Sequence, residues 1–386
     1  MNQAKNDLSH TSKIVHFGKF YAPESGGIEY VTTSLAEKMA SCGHTVTVIC
    51  FARDIPPKRE IIRGVLIQRT KIIKQISSQP LGIKYFFQCI KYGMDADLVH
   101  LHAPNLLASL CALLLPAKTK LLVHWHSDII NKGFIGKLIR PLEWLLLKRA
   151  NSIVTSSEAY ASGSISLLPF LAKTNAVPFG VPEPESRKEK QSRLPAFIEE
   201  KIKDKKVILA VGRMVPYKGY DILIDSAQYL PSNVVIVVVG DGPLASELSE
   251  KIISCGFSDK VILTGGVDSE ELDSLFRRAV IYCMSSTNRA EAFGVVLAEA
   301  MSYGLPIVAT DIKGSGVPWV NKHGISGMNV PTRDPESLAK ACVAILESEK
   351  LKTELARGSN QRYLQNFTET NFQKSIMDIY NQLLAS

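Results

Sequence analysis

The chain has 386 residues, of which 46% are hydrophobic and 21% charged, a composition typical of a soluble globular protein that buries sizeable cores. No apolar run reaches the roughly 18 residues of a membrane span, and the polar segment Met1–Lys13 lacks the apolar stretch of a secretory signal. The 7 cysteines contain no C-x-x-C pair, which favours reduced thiols and a cytoplasmic location.

The formal net charge of +8 resides entirely in the first half of the chain. Residues 1–180 contain 21 Lys and Arg against 11 Asp and Glu, whereas the remainder contains 24 against 26. The basic surface is either simply solvated or attracts an anionic membrane face or a phosphate-bearing acceptor. Nucleic acid is disfavoured, because neither a recognition motif nor interleaved aromatic residues accompany the charge. The contributors include Lys84, Lys91, Lys118, Lys120, Lys132, Lys137, Arg140, Lys148 and Arg149.

Short β-rich runs alternate with helical patterns in both halves, which predicts parallel sheets covered by helices on both faces. The predicted strands of the first half are Lys13–Phe20, Thr45–Phe51, Val65–Thr70, Leu98–His102, Lys120–His126 and Ser152–Ser156. Its predicted helices are Ile28–Ser41, Pro104–Leu115, Ile135–Arg149 and Glu158–Leu168. Strands of the second half are expected at Val207–Val211, Val234–Gly240, Val261–Thr264, Ile281–Met284 and Ile307–Ala309.

The chain is therefore predicted to be an α/β protein with two domains. Residues 1–181 form the first domain, and the proline-rich, charged segment 182–206 is a linker. Residues 207–365 form the second domain, and residues 366–386 form a helix expected to pack back on the first. Because ligands of open parallel sheets bind at the carboxyl ends of the strands, site residues are expected on the loops that follow strands.

The most informative segment is Glu291–Glu299, in which two carboxylates flank a glycine-containing turn that leads into an apolar helix. The first N–H groups of a helix lack partners and attract phosphate. With a helix start near Gly294, Glu299 lies roughly 7 Å along the axis at about 1.5 Å per residue. A carboxylate on each side of a diphosphate suits a nucleotide-diphosphate sugar, with a hexose at one end and a ribose at the other. In isolation, two glutamates facing water would explain the same pattern.

Two cations follow the first strand of the second half, namely Arg213 and Lys218. Opposite a helix start they would neutralise a leaving diphosphate, the arginine as a fork and the lysine as a point charge. Nearby glycine turns are less specific. The turn around Gly242 either connects elements or lines a nucleotide pocket, and Val267 could lie near the base. Gly27 stands in a glycine pair before the first helix, where a backbone can approach a phosphate closely.

Histidines occur in pairs at two strand ends, and His124 with His126 share one face, as do His100 with His102. A metal site is disfavoured because no carboxylate completes a ligand set. We predict instead that His126 forms a hydrogen bond with substrate, with a core histidine as the alternative. The Asp95–Asp97 pair resembles a metal-binding D-x-D pattern, but it precedes a strand and is interpreted as a structural lead-in.

Together these motifs resemble glycosyltransferase family four, the retaining enzymes with the GT-B architecture of two Rossmann-like domains facing across a cleft. The resemblance covers nearly the whole chain and rests on the set rather than on any single motif. The matching segments are Gly26–Glu29, His126–Asp128, Pro178–Val181, Gly212–Arg213, Lys218–Gly219, Gly240–Pro243 and Glu291–Glu299. Two departures are Phe179, where relatives often have asparagine, and the long loop Ser285–Arg289.

The resemblance implies a role for each site residue. Arg213 and Lys218 would hold the diphosphate, Glu291 the sugar hydroxyls and Glu299 the ribose. Backbone amides of Phe293, Gly294, Val295 and Val296 would cradle the sugar and phosphate. Gly27 would approach the diphosphate from the other domain, and His126 would touch the transferred sugar. The family requires no metal, so no cofactor is expected, and the donor's own phosphate would accept the proton of the acceptor.

The segment His124–Asp128 looks like the mannosyl- and rhamnosyltransferases of bacterial surface polysaccharide assembly. We therefore predict transfer of a hexose, most simply mannose from GDP-mannose, to a polyprenyl-diphosphate-linked or other glycan acceptor. The enzyme would be cytoplasmic and could lie peripherally on the anionic inner membrane. The alternatives are a UDP-sugar-dependent glucosyl- or N-acetylglucosaminyltransferase of the same family, another GT-B-like enzyme, or a non-catalytic two-lobed sugar-binding protein.

Overall fold

A computed structural model describes residues 11–24, 26–76, 79–129, 133–184 and 193–386, without side chains for residues 133–138. The predicted linker and basic surface thus lie partly outside the described residues. Two compact units are present. The first comprises the chain up to Thr155 with Ser164–Val177 and Gln373–Ser386, and the second comprises Ser156–Gly163 and Pro178–Phe372. The boundaries predicted at residues 181, 206 and 365 remain a prediction.

The first unit is built on a mostly parallel sheet of 8 strands in the order β10-β9-β8-β7-β1-β2-β4-β3, in which only β3 and β4 pair antiparallel. A separate hairpin joins β5 and β6. The strands are β1 Lys13–Phe17, β2 Thr45–Ala52, β3 Arg59–Ile62, β4 Val65–Lys71, β5 Lys74–Ile76, β6 Gln79–Leu81, β7 Leu98–Ala103, β8 Lys120–Trp125, β9 Ser152–Thr155 and β10 Thr174–Ala176.

Helices and one short 3-10 turn connect the strands of this unit. The helices are α1 Gly27–Ser41, α2 Ile83–Gly93, α3 Leu106–Leu113 and α4 Gly133–Arg149, and a 3-10 helix covers Leu168–Lys173. The predicted helix Glu158–Leu168 is too long. The observed helix α5 spans Glu158–Gly163 and belongs to the second unit, and the 3-10 helix with Pro169 in its first turn follows separately. The Asn105 side chain caps α3 by accepting from Ala108 N, which fixes where that helix starts.

The second unit contains a fully parallel sheet of 6 strands in the order β13-β12-β11-β14-β15-β16. All six residues of the apolar run Val234–Val239 are buried, as expected of a strand covered on both faces. The strands are β11 Lys206–Val211, β12 Val234–Val239, β13 Val261–Gly265, β14 Ala279–Met284, β15 Ile307–Thr310 and β16 Gly327–Val330.

Helices cover this sheet, and several begin with the caps that their sequences indicate. Asp268 and Glu271 form a capping box at the start of α9, and Asp334 caps α12 with Pro335 in its first turn. The helices are α6 Ala196–Ile202, α7 Tyr220–Ser226, α8 Ala245–Ser254, α9 Ser269–Arg278, α10 Val295–Ser302, α11 Val317–Val320, α12 Pro335–Glu347 and α13 Glu349–Arg362. The last helix, α14 Glu369–Ala385, begins in this unit and belongs from Gln373 onward to the first unit. Short 3-10 turns cover Pro216–Lys218 and Ala227–Tyr229, and a π turn covers Tyr363–Phe367.

Both sheets confirm the predicted α/β class of doubly wound parallel sheets. Among the parallel strands of each sheet the strand order reverses once, between β1 and β7 in the first unit and between β11 and β14 in the second. Loops that leave the carboxyl ends of two such strands diverge to opposite faces, and the crevice between them is where doubly wound folds bind ligands. Among the described helices, none combines the length and apolar character that crossing a membrane requires.

Candidate active site

The predicted donor residues of the second unit lie at its switch point. Arg213 and Lys218 follow β11, and Glu291 and the start of α10 follow β14. These are the two neighbouring strands at which the winding reverses. The sequence motifs therefore converge on the position where the fold itself predicts a binding crevice.

The two switch-point loops are tied together by close backbone contacts. The Ser285 hydroxyl donates to the Lys218 carbonyl at 2.9 Å, and Thr287 N donates to the Tyr217 carbonyl at 2.7 Å. Gly219 has φ +65°, and a Cβ there would lie 2.3 Å from the Ser285 carbonyl oxygen. Glycine is required at this position both for the left-handed conformation and for the approach of the neighbouring loop.

At the centre of the site, Lys218 and Glu291 form a buried ion pair, with Lys218 Nζ 2.6 Å from Glu291 Oε2. Their side chains are only 11% and 10% exposed. The Ser286 hydroxyl donates to the same carboxylate oxygen at 3.1 Å. Burial alone lowers the pKa of Lys218, but Glu291 and the nearby Tyr217 and Tyr220 reverse this and raise the pKa above its ordinary value. Lys218 is therefore a fixed positive charge at physiological pH.

Glu299 lies on α10, which begins at Val295, directly after Gly294 in the left-handed conformation with φ 76°. This confirms the helix start expected near Gly294. Glu299 is half-buried, and burial raises the pKa of its carboxyl to about 7, an effect that the charge of Lys218 only partly opposes. The carboxyl is therefore close to its titration midpoint at neutral pH.

Phe293 and the residues that follow it divide their roles between side chain and backbone. The Phe293 ring is 2% exposed and packs edge-on against Phe179, with the ring centroids 5.2 Å apart. Phe293 thus anchors the turn in the core, and only its backbone remains as a candidate ligand group. Val295 and Val296 are half-buried in the first turn of α10, where backbone N–H groups lack helical partners. Phe179, which departs from the family pattern, therefore helps to hold Phe293 in the core.

Three other predicted donor residues lie on loops around the same sheet edge. Arg213 is exposed on the loop after β11, and Val267 is half-buried in the turn before α9. Gly242 follows β12, and a Cβ there would lie 2.4 Å from the Met214 carbonyl oxygen. Close packing of the loops after β11 and β12 accounts for this glycine without a ligand, and a contact between Gly242 and the donor stays a prediction.

In the first unit, the two predicted residues lie on its own sheet edge. Gly27 is exposed at the start of α1, and a Cβ placed there would meet no atom within 4 Å. His126 directly follows β8 and is 6% exposed, with Nε2 3.0 Å from His102 Nδ1. Burial, together with the charge of Lys19, lowers the pKa of His126 to about 3, so the imidazole is neutral.

The Asp95–Asp97 pair lies at the amino end of β7, away from the edge that carries Gly27 and His126. Asp95 forms an ion pair with Lys13 at 2.8 Å, and Asp97 accepts from the Lys13 backbone N–H at 2.7 Å. The two aspartates therefore hold the start of β1 beside the start of β7. This supports their interpretation as a structural lead-in.

Sequence reasoning missed Ser286 as a site residue. It is fully buried, it holds the Glu291 carboxylate, and its carbonyl accepts from the Thr310 hydroxyl. The available signal was the run of small hydroxyl residues immediately after β14, where side chains at a carboxyl strand end face a crevice.

Comparison with known proteins agrees with this geometry. Residues 25–182 match the family model "Glycosyltransferase Family 4", and residues 194–362 match "Glycosyl transferases group 1". The D-rhamnosyltransferase WbpZ of Pseudomonas aeruginosa is 32% identical over 357 residues, covering 92% of each chain. The O-antigen chain mannosyltransferase C of Escherichia coli is 28% identical over 377 residues, covering 97% of this chain and 99% of its own.

Among solved structures, Anabaena Alr3699/HepE in complex with UDP and glucose superposes with a TM-score of 0.78. It covers 96% of this chain and 99% of its own at 18% identity, which establishes the shared fold. The fold, the switch-point residues and the sequence relatives agree, and the chain belongs to glycosyltransferase family four, the group 1 glycosyltransferases, as a hexosyltransferase.

Proposed function

We propose that the enzyme transfers mannose from GDP-mannose to a lipid-linked oligosaccharide during assembly of O-antigen or a related bacterial surface polysaccharide. The names of the two relatives that match over nearly the full chain support the sugar, since D-rhamnose is 6-deoxymannose and shares the configuration of mannose. The observation that carries the proposal is the buried pair of Lys218 and Glu291 at the switch point.

In the proposed donor complex, Lys218 and Arg213 bind the diphosphate, and Glu291 accepts hydrogen bonds from sugar hydroxyls. Glu299 binds the ribose, and backbone amides of Phe293–Val296 contact the sugar and phosphate. As the bond between the sugar and the diphosphate breaks, negative charge collects on the departing oxygen. A permanently charged Lys218 next to it stabilises that charge without reorganisation, which is the strongest general contribution to such reactions.

We further propose that the anomeric configuration is retained. Glu291, the nearest carboxylate to the sugar in this scheme, is held by Lys218 and Ser286 and is poorly suited to act as a nucleophile. The acceptor hydroxyl would instead attack from the side of the departing diphosphate and give its proton to a diphosphate oxygen. NMR of the product anomer tests this, and an inverted linkage would refute it.

Arg213 and Lys218 together supply the positive charge that a divalent ion supplies in other transferases, so we propose that no metal is required. Transfer should persist in EDTA at the rate seen with added Mg²⁺ or Mn²⁺. Abolition by EDTA with recovery on adding either ion would contradict the proposal.

A donor panel decides the sugar. Purified enzyme should be assayed with GDP-mannose, GDP-D-rhamnose, UDP-glucose and UDP-N-acetylglucosamine, using a synthetic polyprenyl-diphosphate oligosaccharide as the acceptor. We expect the highest kcat/KM with GDP-mannose. Turnover confined to the UDP-sugars would overturn the donor assignment while leaving the diphosphate site intact. Binding of every donor without transfer to any acceptor would contradict the acceptor assignment.

The proposed acceptor is embedded in a bilayer, and α2 offers a surface suited to the anionic cytoplasmic face of the inner membrane. Ile83 and Phe87 are 65% and 63% exposed, and Lys84 and Lys91 are exposed on the same side of the helix by its periodicity. Apolar side chains flanked by lysines are the composition of a helix that lies in a membrane interface.

Sedimentation with phosphatidylglycerol vesicles tests this surface. The double variant Ile83→Ser, Phe87→Ser should lose most vesicle binding. The matched control is Ile253→Ser, which removes a 69% exposed isoleucine from α8 of the second unit and should bind as wild type does. Equal binding of all three proteins, or binding that does not respond to salt, would refute the role of α2.

A further inference from the structure

Five buried histidines share one face of the sheet in the first unit. They come from three neighbouring strands or their ends: His16 on β1, His100 and His102 on β7, His124 on β8 and His126 just after it. His16 pairs in register with His100, and His102 with His124. Their position is the switch point of this sheet, between β1 and β7. Nothing in the proposed donor chemistry requires four further histidines behind His126.

Four of these histidines and Tyr380 of α14 form one continuous series of hydrogen bonds, here named the histidine relay. His126 Nε2 lies 3.0 Å from His102 Nδ1, and His102 Nε2 lies 3.1 Å from His16 Nδ1. The Tyr380 hydroxyl continues the series, 3.4 Å from His16 Nε2 and 2.5 Å from His100 Nδ1. The link to His16 is the longest of the four.

The ring geometry indicates hydrogen bonds rather than a shared metal ion. The ring planes of the bonded pairs His16–His102 and His102–His126 are nearly parallel, at 19° and 18°. Their centroids are 5.4 and 5.3 Å apart, whereas the facing nitrogens are only 3.1 and 3.0 Å apart, so the nitrogens lie between the two rings. Rings that stack face to face here are closer, as with His124 and His126 at 4.3 Å. The bonded rings therefore meet edge to edge with their nitrogens pointing at each other. A zinc ion needs about 2.0–2.1 Å to each nitrogen and does not fit on such a line.

The relay is built from neutral imidazoles, since burial lowers the pKa of all the histidines, those of His16 and His126 to about 3. A neutral imidazole has one donor nitrogen and one acceptor nitrogen. Each ring that makes two bonds must donate one and accept the other, and the tyrosine hydroxyl carries a single proton. Two arrangements of the protons satisfy every link and use the tyrosine proton, and they run in opposite directions. In a third, the Tyr380 hydroxyl accepts from both rings, but its own buried proton is then left without an acceptor, which is rare in protein interiors.

The end of the relay at His100 distinguishes the two directions. Within the part of the chain that the structure describes, His100 Nε2 is buried without a hydrogen-bond partner. If the relay ran towards His100, this nitrogen would carry an orphaned N–H, which is rare in protein interiors. If it runs towards His126, the same atom is a bare acceptor. In that direction His102 Nδ1 donates to His126 Nε2, and the proton of His126 resides on Nδ1.

We propose that the histidine relay fixes His126 in the Nδ1–H tautomer, so that the ring presents an N–H donor to a hydroxyl of the transferred sugar. His102 and His16 are then positioning residues that act through His126. The functional part of this inference rests on the proposed contact between His126 and the sugar, whereas the tautomer itself does not.

The tautomer can be measured directly on the full-length protein labelled with ¹⁵N-histidine. Multiple-bond ¹H–¹⁵N spectra separate the two neutral tautomers, and scalar coupling across N–H···N bonds identifies bonded rings. We expect His126 to be protonated on Nδ1 and to show coupling between its Nε2 and His102 Nδ1. An Nε2–H tautomer at His126, a charged ring at pH 7, or the absence of that coupling would overturn the relay.

Variants of His102 separate positioning from packing. His102→Gln keeps a donor and an acceptor at similar positions and should retain the Nδ1–H tautomer and kcat/KM within about threefold. His102→Leu removes one hydrogen bond to His126, which should shift its tautomer ratio about threefold to tenfold and lower kcat/KM by a similar factor. Binding of the nucleoside diphosphate should not change. His124 stacks on His126 but is not part of the relay. The control His124→Phe keeps a stacked ring at this position, and His126 should retain its Nδ1–H tautomer.

Three results would count against the inference in different ways. An equal tautomer shift in His124→Phe and His102→Leu would assign the effect to stacking and overturn the relay. Equal activity of His102→Leu and His102→Gln would overturn the positioning role. Full activity of His126→Phe would refute the sugar contact of the proposed function while the measured tautomer still stood.

Discussion

Lys218 Nζ lies 2.6 Å from Glu291 Oε2, and this ion pair links side chains of the two loops that leave β11 and β14. The two residues are 73 positions apart in the chain, yet the reversal of strand order makes their strands neighbours. A buried pair of this kind contributes little net stability, because each charge loses its hydration. In the proposed donor complex its value is chemical, since it holds a lysine as a cation beside the switch point, where the diphosphate would bind.

Removing the charge of one partner should destabilise the fold, and removing both charges should restore most of the stability. Lys218→Met leaves the Glu291 carboxylate buried without its cation and should lower the free energy of unfolding by about 3–5 kcal/mol. The double variant Lys218→Met, Glu291→Gln should recover most of that loss in urea unfolding, because no uncompensated charge remains. Neither variant should transfer sugar. A double variant as unstable as the single one would contradict the assignment of the cost to the unpaired charge.

Arg213 should separate catalysis from stability more cleanly than Lys218. The side chain is exposed, so Arg213→Ala should change the free energy of unfolding by less than about 0.5 kcal/mol. Loss of one charged contact to the departing diphosphate should lower kcat/KM about 100-fold. Arg213→Lys keeps the charge but loses the planar guanidinium that can make two parallel hydrogen bonds, so its kcat/KM should lie between those of the wild type and Arg213→Ala. Wild-type kinetics in Arg213→Ala would remove this residue from the diphosphate site.

The sequence predicted the long buried strands well and the shorter elements poorly. Strand β12 is a short run of valine and isoleucine, which is typical of a strand buried on both faces, and its predicted bounds differ from the observed ones by one residue. Helix α2 was missed, although Tyr85, Cys89 and Gly93 repeat at four-residue spacing and are buried. The exposed Ile83 and Phe87 on its other side hide that periodicity. Strand β16 was missed because Gly327 to Val330 has no β-rich run and forms by pairing with β15.

For the site, motifs gave the residues but not their partners. The pairing of Lys218 with Glu291 depends on which strands are neighbours, and sequence order does not determine this. The same holds for the buried histidines. Alternation placed His100 with His102 and His124 with His126, but His16 joined them only through the parallel pairing of β1 with β7. Tyr380 reaches the relay because the last helix returns to the first unit.

Two glycines with the same backbone conformation provide a matched test of the site's loop packing. Gly219 and Gly256 have φ +65° and +70°, but a Cβ on Gly256 would meet no atom within 4 Å, whereas one on Gly219 would meet the Ser285 carbonyl oxygen. Both alanine variants incur the cost of a left-handed residue, about 1–2 kcal/mol. Gly219→Ala should lose more in the free energy of unfolding and at least tenfold in kcat/KM, because Lys218 must move. If Gly219→Ala and Gly256→Ala lost the same amount of stability and of activity, the predicted clash at Gly219 would be wrong.

Glu299 makes the fold dependent on pH with a defined sign. Its carboxyl has an ordinary pKa of 4.5 and a pKa of about 7 in the folded protein, where burial disfavours the charge. The folded state therefore holds a proton that the unfolded state releases, and stability falls as the pH rises from 4.5 to about 7. Glutamine does not ionise, so Glu299→Gln should not show this fall in stability as the pH rises. Its advantage in free energy of unfolding should be absent near pH 4 and reach about 1–3 kcal/mol at pH 8.

The same substitution should weaken nucleotide binding, because a glutamine accepts hydrogen bonds from ribose hydroxyls less strongly than a carboxylate does. We expect the affinity for the nucleoside diphosphate at pH 8 to fall about tenfold to 100-fold. In the wild-type protein the affinity should rise through pH 7 as Glu299 ionises, and in Glu299→Gln that rise should disappear. A substitution that raises the free energy of unfolding but weakens nucleotide binding would show that the Glu299 carboxyl serves binding and not folding. If Glu299→Gln gains stability at pH 8 but binds the nucleoside diphosphate with unchanged affinity, the cost of burying the charge would be confirmed and Glu299 would not be part of the ribose site.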